Sequence, residues 1–352
     1  MGPEVVTISA GGGLFTAWKR VEVQASFQDG ARSFTIDAAA PLGGTALSWT
    51  FKAGTEVEIF FNGDLVCRGY VDRYQPSISG HDKADVSISG RSKSQDMIDS
   101  SAKHASGHFK DKTPAEIGQA LDLFGVGITS DVQLEKVPVC RITPGEKAYL
   151  VVERLCRDQG VFPVGQADGS IKITKGGQQR HGGSIREGGN MLAGSADHNY
   201  AGRHSEITVR GQRPFGSGDE NLRIEAVARD GKVRFRPLVI ALDGDTDKKR
   251  AKKRAASHRD REAGNSLKAN VTMQGFRCDG GKVWEPGNLI FVESDFLAVH
   301  RDMAVEGVTF TQVRDQGSIS ELSLVDPRAL GGKGNKGGEA NDAWGSDAGD
   351  DD

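Results

Sequence analysis

The sequence predicts a mixed, β-rich α+β protein: two similar β-barrel domains with a small α/β domain between them. Three observations carry this expectation. Short runs of β-branched and aromatic residues, separated by turn signals, occupy both ends of the chain. A middle stretch changes to helical periodicity. Segments 53–90 and 286–324 share one order of turns and strands.

The first barrel is assigned to residues 1–100. VVTISA, GGLFTAWKRVEVQASF, RSFTIDA, EVEIFF, LVCRGYVDRYQ and DVSIS read as strands, with Asn62-Gly63-Asp64 among the turns. The α/β domain is assigned to 101–182. Thr113-Pro114-Ala115-Glu116 has the form of a capping box with proline at the first helical position. Ile117, Ala120, Leu121 and Phe124 then line one helical face, with Gly125 as the stop. Thr143-Pro144-Gly145-Glu146 repeats the device, ahead of Ala148, Val151, Val152, Leu155 and Cys156, and Gly160 ends that helix. A hairpin, VFPVGQ and SIKIT around Ala167-Asp168-Gly169, closes the domain.

The second barrel is assigned to 183–328: HSEITVRGQ, RFRPLVIAL, SLKANVTMQGF, GNLIFVES, MAVEGVTFTQVR and SISELSLVD. A basic helix, about residues 246–263, is inserted in it and capped by Asp245 to Asp247. Residues 329–352 are Gly-rich with an acidic end, the composition of a disordered tail. In the repeated grammar, Ala53-Gly54 corresponds to Pro286-Gly287, and each copy has a mid-strand glycine, Gly69 and Gly307. A cyclic trimer of such a chain would present six like barrels, and so could join a six-fold partner to a three-fold one.

Composition excludes several classes. A net charge of −3 argues against a globally basic nucleic-acid binder. Cys67, Cys140, Cys156 and Cys278 form no Cys-x-x-Cys pair and read as buried free thiols in a reduced compartment. The N-terminus has no secretory pattern, and no apolar run is long enough to span a bilayer. A soluble protein made in the cytoplasm, without membrane insertion, is expected.

Candidate chemistry is sparse. Ser100 and Lys103 have the spacing of an acyl-enzyme nucleophile and base, but no Lys-Thr-Gly accompanies them. Their stretch, GRSKSQDMIDSSA, reads instead as a seam at which Met97 and Ile98 pack and Ser94 or Asp96 caps a turn. Asp243, Asp245 and Asp247 imitate a calcium loop, yet Lys248 and Arg254 occupy its glycine and glutamate positions. Gly332 to Gly337 matches Gly-x-Gly-x-x-Gly with no helix pattern after it. The eight histidines show no metal-ligand spacing. The helix from Lys248 to Arg261 could line a DNA channel or face an acidic partner; the simpler reading rests Ala251, Ala255 and Ala256 on a barrel. Trp344, in the tail, could anchor a segment that orders on binding, against the simpler reading of a mobile end. No catalytic, cofactor or metal residue is assigned.

Several segments, in order, resemble the baseplate hub proteins of Mu-like phages, which belong with the T4 baseplate hub, the late-control gene D proteins and the N-terminal part of type VI secretion spikes. They are GGGLFTAWKRVEV, DLVCRGYVDRYQP, GRSKSQDMIDSSA leading into FKDKTPAEIGQAL, KAYLVVERLCRDQGVFPVGQADGSIKIT, RFRPLVIA before the basic helix, and DGGKVWEPGNLIFV. The resemblance covers about residues 4–328; residues 329–352 match no pattern. It implies a structural, non-enzymatic virion protein of the tail baseplate, assembled in the host cytoplasm. It also implies a homotrimeric ring whose two barrels per subunit continue the six-fold tail tube. A central spike protein would plug the far face, with DNA only in transit through the lumen on ejection. The alternatives are the spike hub of a phage-related secretion system, which would carry a long β-helical needle, and a tail-associated cell-wall hydrolase.

Overall fold

The computed structural model describes residues 4–40, 51–79, 83–212, 224–245, 247–314 and 316–333. The first β unit comprises β1 (Val6–Ala10), β2 (Gly13–Phe15), β3 (Trp18–Ser26), β4 (Ser33–Ala40), β5 (Glu56–Phe61), β6 (Asp64–Ser79) and β7 (Lys83–Ser92). Val6, Ile8 and Ala10, then Val57, Ile59 and Phe61, alternate into the core, as strands with one covered face must.

The α/β unit follows: α1 (Gln95–Asp99), β8 (His108–Lys112), α2 (Pro114–Leu121), β9 (Ile128–Ser130), β10 (Val137–Arg141), α3 (Ala148–Gln159), β11 (Phe162–Gly165) and β12 (Ile171–Thr174). Its core joins Met97, Ile117, Leu121, Val151, Val152, Leu155, Cys156 and Ile173. Met97 at the seam thus packs into this unit, so its structure begins with α1, before the expected boundary at 101. The capping box is formed: Thr113 Oγ1 accepts from the Glu116 amide, and Glu116 accepts from the Thr113 amide. The helix ends at Leu121, ahead of Phe124 and Gly125: Asp122 leaves the helical conformation and its carboxylate accepts from the downstream amides of Phe124, Val126 and Gly127. The second expected start is displaced. Gly145 has φ +86°, which no α-helix accommodates, and α3 begins only after its N-cap, Lys147.

The last part contains β13 (Arg180–Arg186), β14 (Met191–His198), β15 (Glu206–Gln212), β16 (Ile224–Arg229), β17 (Pro237–Asp245), α4 (Lys248–Asn265), β18 (Leu267–Gln274), β19 (Leu289–Ser294), β20 (Val299–Val313) and β21 (Gly317–Val325), then a 3-10 turn at Pro327–Leu330. Two expectations change here. Strands β15 and β17, assigned from sequence to the second barrel, form their own sheet in the order β16-β15-β17. Val209, Ile224, Ala226 and Ala228 on it receive Ala251 and Ala255 of α4; small side chains on both surfaces let helix and sheet approach closely. The tail does not begin at 329: Ala329 and Leu330 are fully buried, and Asp326 caps their turn through the Arg328 amide.

The α/β unit keeps two small sheets of its own, β10-β8 and β11-β12-β9, and the remaining strands of the two β units make one 13-stranded sheet, in the order β14-β18-β21-β20-β3-β4-β7-β6-β5-β1-β2, with β19 pairing β20 and β13 pairing β19. Two separate closed barrels are therefore not what the pairings give. Each unit contributes six strands of one pattern, β1-β5-β6-β7-β4-β3 and β13-β19-β20-β21-β18-β14, and neither set closes on itself among the described residues. Taken in chain order within each unit, the two sequences of neighbours are identical. The first pair differs in direction: β1–β5 is antiparallel and β13–β19 parallel.

Candidate functional site: the joints between the units

The repeat holds at the level of hydrogen bonds. The Gly54 amide donates to the Val71 carbonyl at 2.8 Å, and the Val71 amide donates to Thr55 at 2.9 Å. The Gly287 amide donates to Val305 at 2.7 Å, and the Val305 amide donates to Asn288 at 3.0 Å. Both glycines stand at positive φ, +87° and +88°, a region that disfavours any side chain. Each clasp is followed by a bulge, at Asp72 in β6 and at Glu306 in β20, where the pairing with β7 and β21 shifts by one residue. Val71 and Val305 are thereby equivalent. The sequence match of Gly69 with Gly307 is off register: Gly69 precedes its bulge and Gly307 follows its own. Their surroundings differ accordingly. A Cβ on Gly69 would lie 1.9 Å from the Arg91 carbonyl oxygen, while one on Gly307 would meet nothing nearer than 3.4 Å.

The two units meet through β3 and β20. Seven consecutive residues, Arg20 to Ser26, pair antiparallel with Val313 to Gly307. Beside this ladder the ring of Phe27 covers Gly287, where a Cβ would come within 2.4 Å of it. Arg32, 3 % exposed, ties all three parts of the chain. It donates to Val66 in the first β unit at 2.9 Å, to Gly165 in the α/β unit at 3.5 Å, and to Glu285 near β19 at 2.6 Å. Neither Phe27 nor Arg32 stands out in the sequence, because their partners are remote; an arginine inside the short β3–β4 connection is the only hint.

The residues singled out for chemistry have structural surroundings. Ser100 ends α1 in an extended conformation and its carbonyl accepts from Ala148, while Lys103 is exposed in the following loop. Ser94 precedes α1 without a side-chain cap; its hydroxyl meets that of Ser92 at 2.9 Å. Cys67, Cys140, Cys156 and Cys278 are buried free thiols, and burial pushes Cys67 up to about 12, far from thiolate chemistry. Asp247, not an ion, explains the start of α4: its carboxylate accepts from the Arg250 amide at 2.8 Å. Among the described residues no His, Cys, Asp and Glu side chains gather as a metal site. Gly332 closes the 3-10 turn by donating to Pro327 at 2.9 Å; its glycine motif from Gly334 onward and Trp344 lie outside the described residues.

The basic helix is largely engaged within the chain. Lys253 pairs with Glu135 at 3.2 Å, Arg254 donates to the Arg157 carbonyl at 2.9 Å, and Arg261 lies over the Phe162 ring. Lys248, Lys249 and Lys252 are exposed. Gly264 packs against the backbone of Ala329. Helix α4 therefore connects its own sheet, the α/β unit and the C-terminal turn.

Comparison with known proteins agrees with this architecture. Residues 5–92 match the family described as Mu phage baseplate assembly protein GpP-like, N-terminal. Residues 94–175 match the second domain of the baseplate hub protein gp44-like family; that start agrees with α1 and Met97 belonging to the α/β unit. The chain is 27% identical over 357 residues to baseplate hub protein gp44 of Escherichia phage Mu, covering 96% of this chain and 93% of that one. The 43 kDa tail protein of prophage MuSo2 from Shewanella oneidensis superimposes with a TM-score of 0.81 at 25% identity, over 93% of this chain and 99% of the other. A tail protein from Neisseria meningitidis shares the fold, with a TM-score of 0.80 at 18% identity over 94% and 98% of the two chains. Two family matches, a relative of similar length and a common fold lead to one conclusion: this chain carries the first two domains of Mu-like phage baseplate hub proteins and is similar to such a protein along nearly its whole length.

Proposed function

We propose that three copies of this chain form a ring that joins the six-fold tail tube to a three-fold central spike, with a lumen through which DNA passes on ejection. The observation that carries this reading is the repeated six-strand order, with equivalent clasps at Gly54–Val71 and Gly287–Val305. Two like units per chain give three copies six like units, so one face can meet a six-fold partner while the chain itself keeps three-fold symmetry. The role is geometric and not enzymatic: rigid sheets and turns hold the partners in position. Partners are a second and third copy, the spike protein, and the tube or its adjacent baseplate proteins. The same reading places the protein in the virion after assembly in the host cytoplasm.

Averaged images of the assembled protein along its axis test it. Six similar lobes related by three-fold symmetry around an open centre are expected. Two-fold particles, or particles without a central opening, would contradict it.

A further inference from the structure

The chain carries an unused counterpart of its own internal joint. In that joint the strand segment after the bulge of β20 receives β3 along its edge. Equivalence of Val71 with Val305 makes β6 the counterpart of β20, and the shared strand order makes β14 the counterpart of β3. Both counterparts have one open edge. Among the described residues, β6 beyond Val71 pairs with β7 alone, and β14 pairs with β18 alone. Among the described residues these two edges do not pair with each other within the chain.

We infer that the outer half of β6 in one copy pairs antiparallel with β14 of the next copy, repeating the β3–β20 joint between chains. The internal joint fixes the register. Phe310 stands opposite Val23, and Thr311 opposite Glu22. Carried through β21 and β18 on one side and β7 and β4 on the other, these become Pro76 opposite Ala196 and Ser77 opposite Ser195. Gln75 then faces Asp197, and Ile78 faces Gly194.

Side-chain chemistry agrees with that register. Tyr74 and Ala196 both pack partly against the main core, so they mark its side of the sheet. By alternation Pro76, Ile78 and Gly194 share that side. Ile78 is 73 % exposed in the single chain, an apolar residue on a strand edge, and the register sets it over a glycine. The other face is polar throughout: Gln75 and Ser77 against Ser195 and Asp197. The internal joint has the same division, with Val21, Val23 and Phe310 inside and Glu22, Gln24, Thr309 and Thr311 outside. A slip of one residue would set Ile78 against Ser195 and reverse every pair.

Pro76 belongs to an edge. Arg314 donates its amide to Lys19, so alternate residues of β20, Phe310 among them, aim their backbone groups at β3. Pro76 is the counterpart of Phe310, and its missing N–H points away from β7, where a proline is tolerated in a sheet. The intermolecular ladder has one hydrogen bond fewer than the internal one, and the free edge is less open to wrong partners.

This inference rests on the ring reading above, and the test separates the two. Ser77→Cys and Ser195→Cys are introduced together in the full-length chain, alone and co-expressed with the spike protein, and mildly oxidised. Both serines are exposed, and all four native cysteines are buried, so folding is checked by circular dichroism and melting. Covalent species of two and three chains, reversed by reductant, are expected. The control pair Ser77→Cys with His198→Cys, whose side chains point to opposite faces, should give none. In parallel Ile78→Asp should raise the dissociation constant of the assembly by roughly tenfold or more with the single chain still folded. A three-fold ring in which the two introduced thiols stay unlinked and open to maleimide would overturn the pairing and leave the ring. Equal cross-linking of the control pair would also overturn it. Absence of any assembly, even with the spike, would overturn both.

Discussion

Val23 of β3 stands directly opposite Phe310 of β20, and this pair joins sequence-distant units in one sheet over one core. Both side chains are almost wholly buried, and Phe310 also meets Phe61 and Phe276 edge to face. The N-terminal and C-terminal β units should consequently unfold together. Phe310→Ala is expected to cost about 3–5 kcal/mol and to lower a single calorimetric transition that covers both units. Two separate transitions, with only one shifted, would show that the shared sheet does not couple them.

Gly69 and Gly307 look alike in sequence and should respond differently. Gly69→Ala drives a methyl group into the Arg91 carbonyl, a backbone clash expected to cost about 3 kcal/mol or more. Gly307→Ala has ordinary room and should change stability by no more than about 0.5 kcal/mol. Urea denaturation of the two variants checks the contrast.

Arg32→Ala should loosen the junction of the three units. It leaves the Val66 carbonyl without its buried donor and removes the ion pair with Glu285. Glu285 is partly exposed and can be hydrated, so the expected loss is about 2–3 kcal/mol, mostly from the unsatisfied carbonyl and lost packing. Arg32→Lys should recover only part of it, since one ammonium cannot reach three directions. Full recovery by lysine would mean that charge alone matters there.

The capping box gives a pH signature. The Thr113 amide and the Lys112 ammonium hold the Glu116 carboxyl down at about 2, from an ordinary value of 4.5. A depressed folded-state value stabilises above the unfolded one, so the contribution is complete above pH 4.5 and is lost as pH falls towards 2. Glu116→Gln should flatten that part of the melting profile. Thr113→Ala should cost about 1 kcal/mol at neutral pH.

Legibility in the sequence followed the range of the forces involved. The Thr113–Glu116 cap was readable because all its partners lie within four residues. The similar string at Thr143 misled because Gly145 adopts a left-handed conformation, and helix α3 waits for Lys147. The echo of Gly54 and Gly287 was readable because a tight turn writes itself as glycine. Equivalence inside β6 and β20 was not, since bulges at Asp72 and Glu306 set it and have no fixed residue type. The alternation in β15 and β17 signalled strands without saying which sheet they join. Arg32 was silent because its acceptors lie 34, 133 and 253 residues away.

The most direct test is the solution mass of the purified protein by light scattering across a concentration series, alone and with the proposed spike partner. A species of three 37.6 kDa chains is expected. A single chain at every concentration, with the spike present as well as absent, would contradict it.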